Sequence, residues 1–413
     1  PQKMLTTTIL DQLRLAQNTK GKSIGISIKD RSAILPAGHT ANAAYWFEGG
    51  NEGKFISSTF YMNELPKWVQ DFNDKKSAEK YFKVWNTLYD IDTYIESGAD
   101  LNNFEGGFNG KDTATFPYDL AALKNKNGGY DILKSTPYGN SIVTDFALAA
   151  LDAENLGQDN DTDVLAISYS STDYIGHNFG VNSKEIEDTY IRLDLELERL
   201  LDNLDAKVGK GNYTVFLTSD HGAVEVPAYL ESMHIPAGYI NNGNTNKKFK
   251  AFMLETYGVD DLISNVSNNQ VFLNYERCAE LNIELEDVQE AIIEELISYD
   301  SVYKVYKAKT MNSTAFTTGI EMLLQLGYNQ KRSGDILIVG DPGFISYSKT
   351  GSTHGSGFNY DTHVPLIFYG FGINKGETLE RTEITDVAPT ISSLLNISFP
   401  NGAIGTPIEK AIN

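Results

Sequence analysis

Val164-Leu165-Ala166-Ile167-Ser168-Tyr169 runs without a break into Ser170-Ser171-Thr172-Asp173-Tyr174-Ile175-Gly176-His177. The first six residues are short, apolar and β-rich, as expected of a strand in a parallel sheet covered by helices on both faces. The same switch from apolar strand to polar cluster recurs twice. Residues 24–28 run into Lys29-Asp30-Arg31, and residues 215–218 run into Ser219-Asp220-His221-Gly222. In open α/β sheets, ligands bind beyond the carboxyl ends of the strands, so three such clusters are expected to converge there.

Outward from these three strands the same alternation continues. Residues 23–28, 164–169, 214–218, 335–339 and 364–369 read as buried strands, and residues 5–16, 140–156, 183–205 and 386–395 carry helical periodicity. Strand–helix alternation predicts an α/β fold with an open, doubly wound, mostly parallel sheet and helices on both faces. Residues 50–139, rich in Tyr, Asn, Asp and Gly, read as surface elaboration over the sheet. Residues 225–334 hold strand-like 270–274, helix-like 285–298 and strand-like 302–308, and read as a small inserted α+β subdomain. The expected core is thus 1–224 with 335–413.

The chain has 413 residues, 41% of them hydrophobic, and a net charge of −21. So strong a negative charge excludes nucleic acid as a partner, because the protein's field repels phosphate backbones. Any phosphate chemistry must rest on local positive charge, from metal ions or a few Lys and Arg. The single cysteine, Cys278, excludes a disulfide framework and a Cys-rich zinc site, and reads as inert packing. No run approaches the ~20 apolar residues of a membrane span.

Asp173 and His177 are four residues apart, so on a helical turn they share a face and can reach one ion. Their mixed oxygen and nitrogen donors suit Zn²⁺ and similar metals. Asp220 and His221 are neighbours at a strand end, where the turn that Gly222 permits can aim both inward or serve two adjacent ions. His354 lies in Gly351-Ser352-Thr353-His354-Gly355-Ser356-Gly357, a loop that gives a histidine little packing to do. Taken singly, each feature has an ordinary alternative: a solvated helix face, an Asx turn or a charged loop. Together they place three of only six histidines beside a Gly or an Asp at one end of the predicted sheet. His39, His234 and His363 receive no chemical role, and Tyr45, Trp46 and the tyrosines of 50–139 serve either as core or as cleft walls.

The motifs Thr172-Asp173-Tyr174-Ile175-Gly176-His177, Thr218-Ser219-Asp220-His221-Gly222 and the stretch from Thr353 to Leu366 resemble the type I phosphodiesterase/nucleotide pyrophosphatase family of the alkaline phosphatase superfamily. The closing run Ile384 to Ile391, with Leu394, Leu395, Pro400 and Gly405, resembles the end of that superfamily's core. Ile28 to Ser32 and Leu35 to His39 resemble its bacterial phosphate-monoesterase branch, the periplasmic alkaline phosphatases. The resemblance implies an alkaline-phosphatase-like sheet, two Zn²⁺ ions, a threonine nucleophile and small phosphate-ester substrates. It makes Asp173, His177 and His354 the ligands of one zinc and Asp220 and His221 ligands of the other. Lys29 and Arg31 match the pair that binds phosphoryl oxygens.

The resemblance also implies a strand-end metal ligand, the nucleophile and a phosphate-contacting Asn upstream of Pro1. Thr6, Thr7 and Thr8 fall in the opening helix and are not assigned to the reaction. The expectation is therefore an enzyme completed by residues before Pro1, inactive as residues 1–413 alone, and periplasmic or secreted behind a signal peptide. The competing readings are a phosphodiesterase or nucleotide pyrophosphatase of the same family, a sulfatase, and a truncated homologue without catalysis. Lys29 and Arg31 favour the monoesterase, because a diester has one charged oxygen fewer for two cations.

Overall fold

The structure, a computed structural model, describes residues 4–240 and 242–412. They divide into two compact units, Pro1–Asp220 with Pro365–Asn413, and His221–Val364.

The first unit opens on helix Ile9–Ala16. Thr8 caps it: the Thr8 Oγ1 accepts from the Asp11 N–H at 3.2 Å, and Asp11 accepts in return from the Thr8 N–H at 2.9 Å. The helix therefore begins later than its apolar periodicity suggests. Thr6 and Thr7 precede it, and Thr8 is a structural cap. Strand Ser23–Ser27 follows, buried along its whole length, and runs parallel to both Ala43–Glu48 and Val164–Ser168. Lys54–Ile56 adds antiparallel to Ala43–Glu48, giving a four-stranded sheet in the order Lys54–Ile56, Ala43–Glu48, Ser23–Ser27, Val164–Ser168. A separate antiparallel pair joins Thr214–Thr218 to Leu366–Gly370, with Phe216 opposite Phe368. Among the described residues, Val164–Ser168 and Thr214–Thr218 each pair along one edge only.

Helix Pro137–Ala153 covers the four-stranded sheet, with Pro at its first turn, where no N–H is needed. Its Phe146 stacks on Phe55 at 3.9 Å between ring centroids and meets Tyr45 edge-on. Several aromatic residues of 50–139 are core: Trp85, Phe108 and Tyr118 are buried in the same apolar cluster as Ile24, Ile26 and Phe179, and Tyr94 is buried as well. Asp188, fully buried on helix Lys184–Leu204, anchors this region. It accepts from Trp85 Nε1 at 2.7 Å, the Leu88 N–H at 2.7 Å, the Tyr94 hydroxyl at 2.6 Å and Arg192 Nε at 2.6 Å.

In the second unit, strands Val302–Lys307, Ile336–Gly340, Gln270–Leu273 and Ile263–Ser267 form an antiparallel sheet in that spatial order. The sequence reading gave residues 335–339 to the core sheet. They do form a strand, but it pairs antiparallel with Val302–Lys307 and Gln270–Leu273, alongside the rest of the 225–334 block. The physical reason is that a short apolar run suits any sheet covered on a face, and its length does not reveal its partner. Helix Leu285–Ile297 packs Val288 and Ile292 into this unit's core with Val271, Ile336 and Cys278. Burial pushes the Cys278 thiol up, in keeping with an inert packing role.

Candidate active site

In the first unit the chemistry gathers where strands Ser23–Ser27 and Val164–Ser168 end. Each strand is followed at once by a helix, Asp30–Ala37 and Ser171–Phe179. The parallel pairing sets Ser27 beside Ser168, so the two turns emerge side by side. A chain of hydroxyls ties them together, with Ser170 Oγ 3.0 Å from both Ser27 Oγ and Ser168 Oγ. The Lys29 N–H donates to Ser27 Oγ at 3.1 Å.

Lys29 sits at the N-terminal end of helix Asp30–Ala37 and sends its ammonium to Asp173 Oδ2 as an ion pair. The same ammonium lies 4.8 Å from the centre of the Tyr174 ring. Asp173 turns its other oxygen to His177, with Oδ1 3.3 Å from Nε2. Two ligands bound at ~2.0–2.2 Å with a tetrahedral angle between them stand ~3.3–3.6 Å apart, so this spacing fits a pair sharing one zinc. Lys29 and Arg31 line one cleft of about 210 Å³ with Trp46, Glu48, Lys134 and Tyr174. Arg31 is exposed, and among the described residues its guanidinium makes no hydrogen bond or ion pair. Lys134 also bears on this cleft, held 2.7 Å from Asp131 Oδ1. It lies in the 3₁₀ helix Gly129–Ser135, and nothing in its sequence context singled it out.

Asp220 is exposed beyond the end of strand Thr214–Thr218. In the second unit, His221 and His354 are brought together, their rings stacked at 3.3 Å between centroids and 15° between planes. The His221 Nδ1–H donates to the Gly222 carbonyl at 2.9 Å. A backbone carbonyl bonded to the second ring nitrogen is a common way of orienting a metal-binding imidazole. Gly222 is required here, because a Cβ at that position would run into the Tyr360 carbonyl oxygen. Gly355, next to His354, has φ +122°, which a side chain would strain.

Of the histidines left without a role, His39 places Nε2 3.0 Å from the Thr6 carbonyl, a structural bond, and His234 and His363 are exposed. Sequence reasoning passed over Asp361, a buried carboxylate tied to the His354 loop. Its only sequence signal is an acidic residue a few positions after a loop histidine.

Comparison with known proteins places these features in a family. The type I phosphodiesterase / nucleotide pyrophosphatase family model matches residues 21–364. Over 415 residues the chain is 44% identical to alkaline phosphatase PafA of Elizabethkingia meningoseptica, covering all of this chain and 75% of that protein. It is 42% identical to alkaline phosphatase PhoV of Synechococcus elongatus, covering all of this chain and 74% of PhoV. A Myroides odoratus protein named a calcium-transporting ATPase is 47% identical, with 100% of this chain and 76% of that protein covered. The crystal structure of PafA superposes with a TM-score of 0.94 at 43% identity, over 100% of this chain and 79% of that one. The chain belongs to the type I phosphodiesterase / nucleotide pyrophosphatase family and groups within it with the bacterial alkaline phosphatases.

Proposed function

We propose that this protein is a zinc-dependent alkaline phosphatase that hydrolyses small phosphate monoesters. The observation that carries the reading is the placement of Lys29 and Arg31 in one cleft, with Lys29 against Asp173 and Asp173 against His177. Two cations beside a carboxylate–imidazole pair suit a phosphoryl dianion, whose charge is spread over oxygens the cations can grip. In this reading Lys29 and Arg31 orient the phosphoryl group and neutralise the charge it carries into the transition state. Asp173, His177 and His354 hold one Zn²⁺, and Asp220 and His221 hold another. When bound, the zinc ions lower the pKa of the attacking hydroxyl and stabilise the departing oxygen. By the family resemblance that hydroxyl belongs to a threonine.

The name of the Myroides odoratus relative favours a second, narrower reading in which ATP is the substrate. The terminal phosphoryl group of ATP offers Lys29 and Arg31 the same dianionic face as a monoester. Among the described residues no helix is long and apolar enough to cross a membrane.

The test is to measure kcat/KM of the full-length protein on p-nitrophenyl phosphate, bis-p-nitrophenyl phosphate and ATP, before and after chelation and zinc return. The expected result is zinc-restored hydrolysis with the monoester well ahead of the diester. A diester rate equal to or above the monoester rate assigns the protein to the phosphodiesterases instead.

A further inference from the structure

Asp361 is 4% exposed and lies in the short helix Asn359–Thr362 of the second unit. One of its carboxylate oxygens does a great deal. Oδ2 accepts from the Gly355 N–H at 3.0 Å, the Ser356 N–H at 2.7 Å and the Ser356 hydroxyl at 2.7 Å. These donors are the two residues directly after His354, and Gly355 holds φ +122°, a conformation that favours glycine. The backbone of the same residue reaches the other histidine. The Asp361 carbonyl accepts from the Gly222 N–H at 2.8 Å, directly after His221. The contact is close enough that Gly222 tolerates no side chain against the neighbouring Tyr360 carbonyl. A second stitch runs beside the first, where the Ser352 hydroxyl donates to the Val224 carbonyl.

We infer that Asp361 is a positioning residue, which through its carboxylate and its carbonyl fixes the His354 loop and the His221 turn so that both imidazoles are presented to metal together. The inference rests on the zinc phosphatase reading. Its physical basis is that three donors converging on one buried carboxylate fix the path of the backbone directly after His354. Ligands left free to rotate lose entropy on binding an ion, whereas ligands held in place have already lost it. A carboxylate accepting three donors is also a stronger anchor than a neutral acceptor, since bonds to a charged group are about twice as strong. Partners that orient metal ligands in this way change metal affinity or activity by about 10- to 100-fold when removed.

The inference makes a prediction that a general loss of stability does not. Asp361→Ala removes the carboxylate that holds the His354 loop and keeps the backbone carbonyl that holds the Gly222 N–H, so it should weaken the zinc held through His354 well beyond the zinc held through His221. Asp361→Asn keeps an oxygen able to accept from Gly355 and Ser356, and should fall between Ala and wild type. The experiment uses the full-length holoenzyme. Zinc stoichiometry and affinity are read by competition with a chromogenic chelator, the fold by circular dichroism and thermal melting, and kcat and KM separately on p-nitrophenyl phosphate. The expected outcome is a folded Asp361→Asn with the affinity for the zinc held through His354 reduced several-fold, and Asp361→Ala down about 10- to 100-fold at that ion with kcat falling more than KM rises. Should Asp361→Ala not fold, Asp361→Asn and Ser356→Ala, which removes one donor, decide the matter. Folded variants that bind both zinc ions as wild type does overturn the inference. If wild-type protein itself binds no zinc and cleaves no monoester, the functional reading fails instead, so the two failures are distinguishable.

Discussion

Arg31→Ala is the sharpest probe of substrate class, because the side chain does one thing. It is exposed, and its guanidinium has no hydrogen bond or ion pair among the described residues, so its loss should leave folding stability within about 0.5 kcal/mol. Lys29 offers no such clean test. Its ammonium neutralises Asp173 in a pair whose side chains are only 11% and 17% exposed, so removing it also strands a carboxylate. For Arg31 the working magnitude is that of a hydrogen bond to a charged group, ~1.5–3 kcal/mol, which converts at ~1.4 kcal/mol per tenfold into a loss of about 10- to 150-fold in kcat/KM on a monoester dianion. A diester spreads a single charge over its two free oxygens, so the same contact approaches a neutral one. At ~0.5–1.5 kcal/mol the loss shrinks to about 2- to 10-fold. The assay is kcat/KM on p-nitrophenyl phosphate and bis-p-nitrophenyl phosphate with the full-length protein at saturating zinc, with thermal melting as the fold control. Equal losses on the two substrates would refute the reasoning, because they would mean that Arg31 does not read phosphoryl charge.

Two further predictions concern the aromatic region stitched over the sheet. Asp188→Ala removes the shared acceptor of Trp85, Leu88, Tyr94 and Arg192, and should cost about 3–5 kcal/mol by urea unfolding, as breaking a buried ion pair does; a loss below about 1.5 kcal/mol would show that these donors find water. The second concerns Glu105 and Glu185, buried together, with Tyr118 donating to Glu185 and Asn102 Nδ2 donating to Glu105 at 2.5 Å. Burial first, and for Glu105 the neighbouring Glu185 second, hold both carboxyls well above the ordinary glutamate range. Groups raised in this way keep protons in the folded state that the unfolded chain has already lost, so stability falls as pH climbs from the ordinary glutamate value through the raised ones. Glu105→Gln should flatten that decline in melts from pH 5 to 9, and an unchanged slope would remove the pair as its cause.

Much of the first unit was legible because its signals are local. Residues 23–28 and 164–169 are short, mostly apolar runs free of charge, and both become strands that pair with each other, as suits a sheet covered on both faces. The helical periodicity of 183–205 is matched by helix Lys184–Leu204, which the Ser183 hydroxyl caps by accepting from the Ile186 N–H at 3.2 Å. The strand at Ile336–Gly340 was legible as a strand but not as to partner. Pairing depends on where the intervening chain goes, and its apolar run, buried at Ile336, Leu337 and Val339, suits either sheet. The candidate site divides along the same line. Asp173 and His177 could be read as a pair because four residues of helix make one face, and the structure holds them 3.3 Å apart.

Asp361 could not be read in this way. Its bonds to Gly355 and Ser356 depend on a loop folding back by a route that no periodicity encodes, and a lone Asp before a buried strand is an ordinary solvated residue in most sequences. What distinguishes it is burial combined with three converging donors, a property of the folded backbone alone. Sequence thus exposes residues that touch a metal or a phosphate when their chemical type and spacing are unusual. The residues that aim them are of common type at unremarkable positions, and become visible only when each buried carboxylate is asked which donors it satisfies.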